Sequence, residues 1–197
     1  MEMYPVFLKL EQKFCLVAGG GKVAERKVKN LLRAGARVTV VAPECTPEIE
    51  KMAGDNVINL SKRAFTPTDA EGAFLVIAAT DREEVNREIY EAAEKTGILI
   101  NTVDVPDKCS FFVPASVNRG RLTVAISTSG TAPYFARALR EHFETLLYPE
   151  LGKDLEKIEE LRKKILESSP SEEEKSKLFK KLLDPEIQAI LGRVSKR

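Results

Sequence analysis

The chain has 197 residues, and its 31 Lys and Arg against 30 Asp and Glu leave a formal net charge of +1, which gives no electrostatic reason to bind nucleic acid or an anionic membrane. No apolar run approaches the roughly 20 residues that span a bilayer, and residues 1–5 lack the basic and apolar stretches of a secretion signal, so the expectation is a cytoplasmic protein with one full core plus an appendage, or two small domains. Three cysteines without a C-x-x-C pair (Cys15, Cys45 and Cys109) argue against a disulfide framework or structural zinc, and the single histidine, His142, excludes a multi-histidine metal site within one chain.

Residues 4–10 read as a lead-in strand or a packing arm. A first apolar strand is expected over 14–18. It ends in Gly19-Gly20-Gly21 and opens directly into a helix over 23–33, with Val23, Val28, Leu31 and Leu32 inward and Gly35 as its stop. The spacing Gly19-x-Gly21-x-x-Ala24 is the strand–turn–helix fingerprint of dinucleotide binding. Gly19 turns the chain off the strand, Gly21 lets backbone amides approach a pyrophosphate, and Ala24 lets the helix lie close on the sheet. The helix N-terminus then offers unpaired amides and partial positive charge to the phosphates.

A β-branched run over 37–41 reads as a second strand buried on both faces. Thr46-Pro47 starts a short helix that Gly54 ends. Further strands are expected over 57–60, 74–79 and 98–100. Between the last two, Asp81 and Glu84 form a capping-box-like start to a helix that Gly97 closes. Strands alternating with helices give a parallel, doubly wound α/β sheet of the Rossmann type. An acid at the end of the second strand holds the ribose of NAD in this fold, whereas basic residues there favour NADP. Here Ala42-Pro43-Glu44 follows the strand with no Lys or Arg. NAD is therefore the expected cofactor, with Glu44 either at the ribose or a solvated acid near a helix start.

After Asn101 the texture changes. Strands are expected over 110–114 and 122–127, joined by the polar turn 118–121. A loop of small residues, Thr128-Ser129-Gly130-Thr131-Ala132, leads through Pro133 into a helix over 134–147. The remainder is charged and helical, with breaks expected at Ser168-Ser169-Pro170 and Asp184-Pro185. Its apolar stripe (Leu155, Ile158, Leu161, Ile165, Leu178 and Leu182) reads as an intersubunit or satellite packing face.

Taken together these residues resemble one family, the precorrin-2 dehydrogenases that form the N-terminal module of siroheme synthases. The matching stretches are Tyr4-Pro5-Val6-Phe7, Gly19-Gly20-Gly21-Lys22-Val23-Ala24-Glu25-Arg26-Lys27, Leu31-Leu32-Arg33-Ala34-Gly35-Ala36 and Val40-Val41-Ala42-Pro43. They continue with Ala78-Ala79-Thr80-Asp81 and Asn86, Asn101-Thr102-Val103-Asp104 with Pro106, Phe111 and Pro114, and the run from Ser127 to Pro133. The resemblance covers residues 4 to 147; the tail matches only in being helical.

The resemblance implies NAD-dependent oxidation of precorrin-2 to sirohydrochlorin, in siroheme or cobalamin (porphyrin-type tetrapyrrole) biosynthesis, by a homodimer. It implies a division into a Rossmann domain over 1–113, a small α+β dimerisation and active-site segment over 114–147, and a C-terminal helical domain over 148–197. Asp104, just past the fifth strand, matches the family's catalytic aspartate and is the expected general base; on general grounds it is otherwise a loop acid capping local amides. By the same match Lys22, Val23, Pro43 and Glu44 join Gly19 and Gly21 at NAD, with Thr80 and Val103 as neighbours. Thr128, Ser129 and Gly130 are expected to bind a substrate carboxylate through backbone amides, with Arg119 and Arg137 as further carboxylate partners beside Arg121 and Arg140. No resident metal is expected. Two alternatives stay open: a bifunctional dehydrogenase and ferrochelatase, in which the same aspartate serves metal insertion, and a non-catalytic NAD-sensing module, which would need neither Asp104 nor the Thr128 loop.

Overall fold

The computed structural model describes residues 3–168 and 171–195. The chain forms two compact units, Met3–Phe112 and Val113–Arg197. In the first, β1 (Phe14–Ala18), β2 (Arg37–Val41), β3 (Asn59–Ser61), β4 (Leu75–Ala78) and β5 (Leu99–Thr102) make a wholly parallel sheet in the order β3-β2-β1-β4-β5. The order reverses between β1 and β4, which is where open α/β sheets of this kind bind ligands. Cys15 and Val17 join one apolar cluster with α1 (Lys22–Arg33) and α2 (Pro47–Gly54). Leu16 and Ala18 join the other, with α3 (Glu83–Thr96). Side chains alternate across a strand, and with both faces covered β1 has no polar position.

Residues 4–10 form no strand; they are an arm, with Leu10 buried and Tyr4 and Phe7 exposed. The expected Asp81–Glu84 box at the start of α3 is absent. The cap position is Arg82, with no side-chain cap, and Asp81 is exposed. Asn86 fastens this corner instead: its Oδ1 accepts from the Thr80 amide (3.2 Å) and hydroxyl (2.8 Å), and its Nδ2 donates to the Thr80 carbonyl (3.0 Å). Gly97 ends α3 in the left-handed conformation, as expected.

The second unit begins with an antiparallel ribbon, β6 (Ala115–Arg119) and β7 (Leu122–Ile126). The strand expected over 110–114 is not there. Ser110 folds back on the edge of β5, its amide donating to the Ile100 carbonyl (2.8 Å) while its Oγ accepts from the Ile100 amide (2.8 Å). Phe111 packs on the core of the first unit, so its hydrophobicity reports burial and not strand pairing. The Arg119–Leu122 register leaves a two-residue turn with Gly120 at φ +58°, which pins the ribbon's first strand five residues later than the pattern suggests, while the second stands where expected.

Four helices follow: α4 (Pro133–Leu146), α5 (Leu151–Ser168), α6 (Glu172–Leu178) and α7 (Asp184–Ser195). The break expected at Ser169-Pro170 lies outside the described residues. The break expected at Asp184-Pro185 does not occur: a π-helical turn over Phe179–Leu183 runs straight into α7. Pro185 lacks an amide, and its ring would crowd the carbonyl four residues back in a regular α-helix; the wider turn accommodates it. Val117, Leu147, Tyr148, Leu151 and Ile190 form the core of this unit, with Leu155 and Ile158 packed against it, so this part of the tail's stripe is a satellite packing face. A Cβ on Gly152 would lie 3.1 Å from the Gly120 Cα, and one on Gly120 would lie 2.9 Å from the Gly152 Cα. The first turn of α5 therefore rests directly on the ribbon's turn.

Candidate active site

Three strand ends meet at the glycine turn. A Cβ on Gly19, which has φ +123°, would stand 2.2 Å from the Ala79 carbonyl oxygen at the end of β4. One on Gly20 would stand 1.9 Å from the Glu44 carbonyl oxygen beyond β2. Two hydrogen bonds lock the junction: the Gly19 amide donates to Val41 (3.0 Å) and the Thr46 amide to Gly20 (2.9 Å). Gly21, the N-cap of α1, is different. It carries no side-chain cap, and nothing lies within 4 Å of a Cβ built on it.

The amides of Lys22, Val23 and Ala24, which have no acceptor within the helix, open onto that space. It suits a pyrophosphate: an uncapped helix N-terminus with the approach cleared of side chains. The residues at this turn thus fit a dinucleotide. The Lys22 ammonium is drawn along the helix to Glu25 (3.0 Å). Glu25 is itself buried and also pairs with Lys29 (2.9 Å). The hydrogen bond from Lys29, then those of Lys22 and Thr46, hold the Glu25 carboxyl down at about 2.

Pro43 and Glu44 are exposed just past β2, with the Glu44 backbone fixed against Gly20. Thr80 is held by the Asn86 clamp at the end of β4. Val103 donates its amide to Ala78 (2.9 Å), so it sits on the same edge. Gly19, Thr80 and Val103 therefore converge where the strand order reverses. Beside them the Thr102 Oγ1 is buried and has no hydrogen-bond partner among the described residues.

Asp104 follows directly, exposed and left-handed at φ +60°, a conformation that Asp tolerates better than most residues. The turn that holds it is pinned by Cys109. The Cys109 Sγ accepts from the Thr102 amide (3.2 Å) and lies 3.2 Å and 3.3 Å from the Thr102 and Val105 carbonyls. Asn101 reaches the same sulfur (3.5 Å) and the Phe111 carbonyl (3.0 Å). Burial pushes the Cys109 thiol above its ordinary pKa, which keeps it a neutral pin. The sequence alone gave Cys109, Asn86 and Gly20 no task; the triple glycine and the motif asparagine were the only hints at the last two.

In the second unit, Thr128, Ser129 and Gly130 form a tight loop with Ser129 at φ +52° and Gly130 at φ +81°. The Ser129 amide donates to Ser127 Oγ (3.1 Å), Thr131 to the Thr128 carbonyl (3.0 Å), and Ala132 to Thr128 Oγ1 (3.2 Å). These bonds take up three of the turn's amides and leave that of Gly130 without an acceptor among the described residues. Arg119 has a different task from the one expected. Its guanidinium donates to the carbonyls of Leu147 (2.8 Å), Glu144 (2.8 Å) and Asn118 (3.0 Å), so it caps the C-terminal end of α4. Arg137 pairs with Glu141 (2.9 Å) and Arg121 with Glu159 (2.8 Å), both exposed.

Comparison with known proteins agrees with this geometry. A family model described as "Putative NAD(P)-binding" matches residues 6–115, and one for the central part of a sirohaem biosynthesis protein matches residues 119–146. The siroheme synthase of Methylobacillus flagellatus is 47% identical over 153 residues, 78% of this chain and 33% of that protein. Siroheme synthase 3 of Aeromonas hydrophila is 42% identical over 183 residues, 93% of this chain and 39% of that protein. The chain thus spans between a third and two-fifths of the length of these relatives. A solved structure of SirC, a precorrin-2 dehydrogenase, superposes with a TM-score of 0.80 at 27% identity, covering 99% of this chain and 100% of that one.

Proposed function

The chain belongs to the precorrin-2 dehydrogenase and siroheme synthase family, and on that premise we propose that it oxidises precorrin-2 to sirohydrochlorin with NAD in siroheme biosynthesis. The observation that carries the reading is the pairing of an open glycine turn with Asp104 at the same sheet edge. Bound NAD supplies the hydride acceptor for the two-electron oxidation. The first-turn amides of α1 hold its pyrophosphate, Glu44 meets the ribose, and Thr80 and Val103 line the approach. Asp104 takes the proton that leaves as the hydride departs, so one hydride and one proton balance the two hydrogens lost. The Gly130 amide of the Thr128-Ser129-Gly130 loop receives a substrate carboxylate, and Arg137 remains an outer partner for another.

We further propose that the working form is a cytoplasmic homodimer. Tyr134 and Phe135 at the start of α4 are 86% and 60% exposed, which suits a face covered by a second copy. Sedimentation of the purified protein would give twice the chain mass; a monomer at micromolar concentration would remove this part of the reading. Among the described residues no helix is long and apolar enough to cross a membrane.

The decisive test is anaerobic incubation with precorrin-2, with and without NAD, following the sirohydrochlorin spectrum. Wild-type protein should form product only with NAD. Asp104→Asn should bind NADH normally and turn over about 10²- to 10⁴-fold more slowly, the usual worth of a positioned base. No product from wild-type protein that still binds NADH would leave a nucleotide-sensing module. The relatives are siroheme synthases, and siroheme holds an iron that sirohydrochlorin lacks, which favours metal insertion at the same Asp104 as a second reading; adding ferrous ion to the product tests it directly.

A further inference from the structure

The charges of α1 lie on two flanks. On one, Glu25 binds Lys22 and Lys29, and Lys29 reaches Glu48 of α2 (3.3 Å), so this flank faces α2. Lys27 lies about 200° further round the helix. It flanks the ridge of Ala24, Val28 and Leu31 that packs on the sheet, on the side of β5 and the segment after it. Helical side chains lean toward the helix N-terminus, so Lys27 extends back up to the carboxyl edge of the sheet. There its ammonium is half-buried and lies within electrostatic reach of Cys109 and Asp104, with Arg26 alongside. No hydrogen-bond acceptor or ion-pair partner engages it among the described residues.

A half-buried cation with no acceptor is costly. Burial accordingly holds the Lys27 ammonium below its ordinary pKa, Arg26 adding to the effect while Cys109 and Asp104 oppose it. The other two lysines of α1, Lys22 and Lys29, are more exposed and both pair with Glu25. An arriving anion would supply what Lys27 lacks, and two anions come to this edge: a carboxylate of the substrate and a phosphate of the cofactor. The cofactor's phosphates belong at the uncapped turn by Gly21, at the end of β1. The Lys27 flank of α1 lies instead toward β5 and the segment after it, and Asp104 of that segment is within electrostatic reach of the ammonium.

We propose that Lys27 is a substrate-anchoring residue, its ammonium receiving a carboxylate of the polyanionic tetrapyrrole beside Asp104. This role rests on the dehydrogenase reading. It explains why a cation lies within electrostatic reach of the base without being tied to it by a hydrogen bond: a committed Lys27–Asp104 pair would occupy both groups. The anchor fixes the macrocycle relative to Asp104 and leaves the carboxylate of Asp104 free for a proton.

The test compares Lys27→Met and Lys27→Arg with wild type in the full-length chain. Lys27→Met should raise the KM for precorrin-2 roughly tenfold or more, the worth of one charge-assisted contact, while kcat changes little. Lys27→Arg should restore most of the affinity, and NADH binding by fluorescence should be unchanged in both. An unchanged KM, or a fall in kcat alone, overturns the anchor. A weakened NADH affinity assigns the ammonium to a cofactor phosphate and overturns it equally. Quenching titrations with uroporphyrin, an octacarboxylate probe, read the same contact without turnover. If wild-type protein oxidises no precorrin-2, the dehydrogenase reading fails; the anchor still stands if Lys27→Met loses uroporphyrin and Lys27→Arg keeps it, and falls if all three proteins bind alike. Thermal unfolding within a few degrees of wild type for Lys27→Arg separates either result from a folding defect.

Discussion

Replacing Gly20 by alanine would set a methyl group against the Glu44 carbonyl, a backbone atom that cannot swing aside. The expected result is a destabilisation of about 1–3 kcal/mol or more and loss of NADH binding. Gly21→Ala, with open space around it in the free protein, should leave stability nearly unchanged and weaken NADH binding alone. Thermal melts and NADH titrations on the two variants check this contrast. Glu25 makes a prediction in pH. Its carboxyl is held at about 2, against an ordinary value of 4.5, so the folded state binds the proton less readily than the unfolded chain. The stabilisation is complete above pH 4.5 and is lost as the pH falls through 2. Glu25→Gln should be less stable than wild type at neutral pH, and the difference should shrink on acidification across that window in urea melts.

At the scale of elements, the tightest joint in the second unit is between the ribbon's turn and α5. Gly152→Ala places its methyl 3.0 Å from the Gly120 amide nitrogen, and we expect it to cost about 1–3 kcal/mol and to loosen β6 and β7 in amide exchange while β1–β5 keep their protection. The parallel sheet was legible because its signals are local and agree with one another: an apolar strand, a glycine turn and an amphipathic helix, repeated. The ribbon's first strand was misplaced because Phe111 and Phe112 carry the hydrophobicity of a strand while Phe111 serves a tertiary contact, and the deciding signal, a positive φ at Gly120, is a matter of one residue. The Asp81 cap failed for a related reason: Asn86 satisfies the same corner from further along the helix. At the sheet edge, the places of Gly19, Gly21 and Asp104 were readable from spacing and resemblance. The partners of Arg119 were not, since its acceptors are carbonyls at Glu144 and Leu147 that no pattern marks.

Across the whole molecule, the two units differ in how they hold themselves together. The unit over Met3–Phe112 is built from neighbouring strands and the helices between them, and it should bind NADH by itself. The second is closed by its own extremities: Val117 of β6 and Ile190 of α7 share one core. A knot of side chains adds to this, with the Tyr148 hydroxyl donating to Asp154 (2.7 Å) and Arg193 of α7 reaching both. Removing residues 184–197 should therefore unfold β6 and β7 while NADH still binds, a result that heteronuclear NMR would show directly; retained ribbon signals would contradict it. An isolated two-stranded ribbon is marginal in water, and domains fold as they leave the ribosome, the earlier one first. The parallel-sheet unit is thus ready while the remainder is still being made, whereas the Thr128 loop takes its final shape only after α7 has been synthesised, so a chain released early would carry a folded glycine turn beside an unformed second unit.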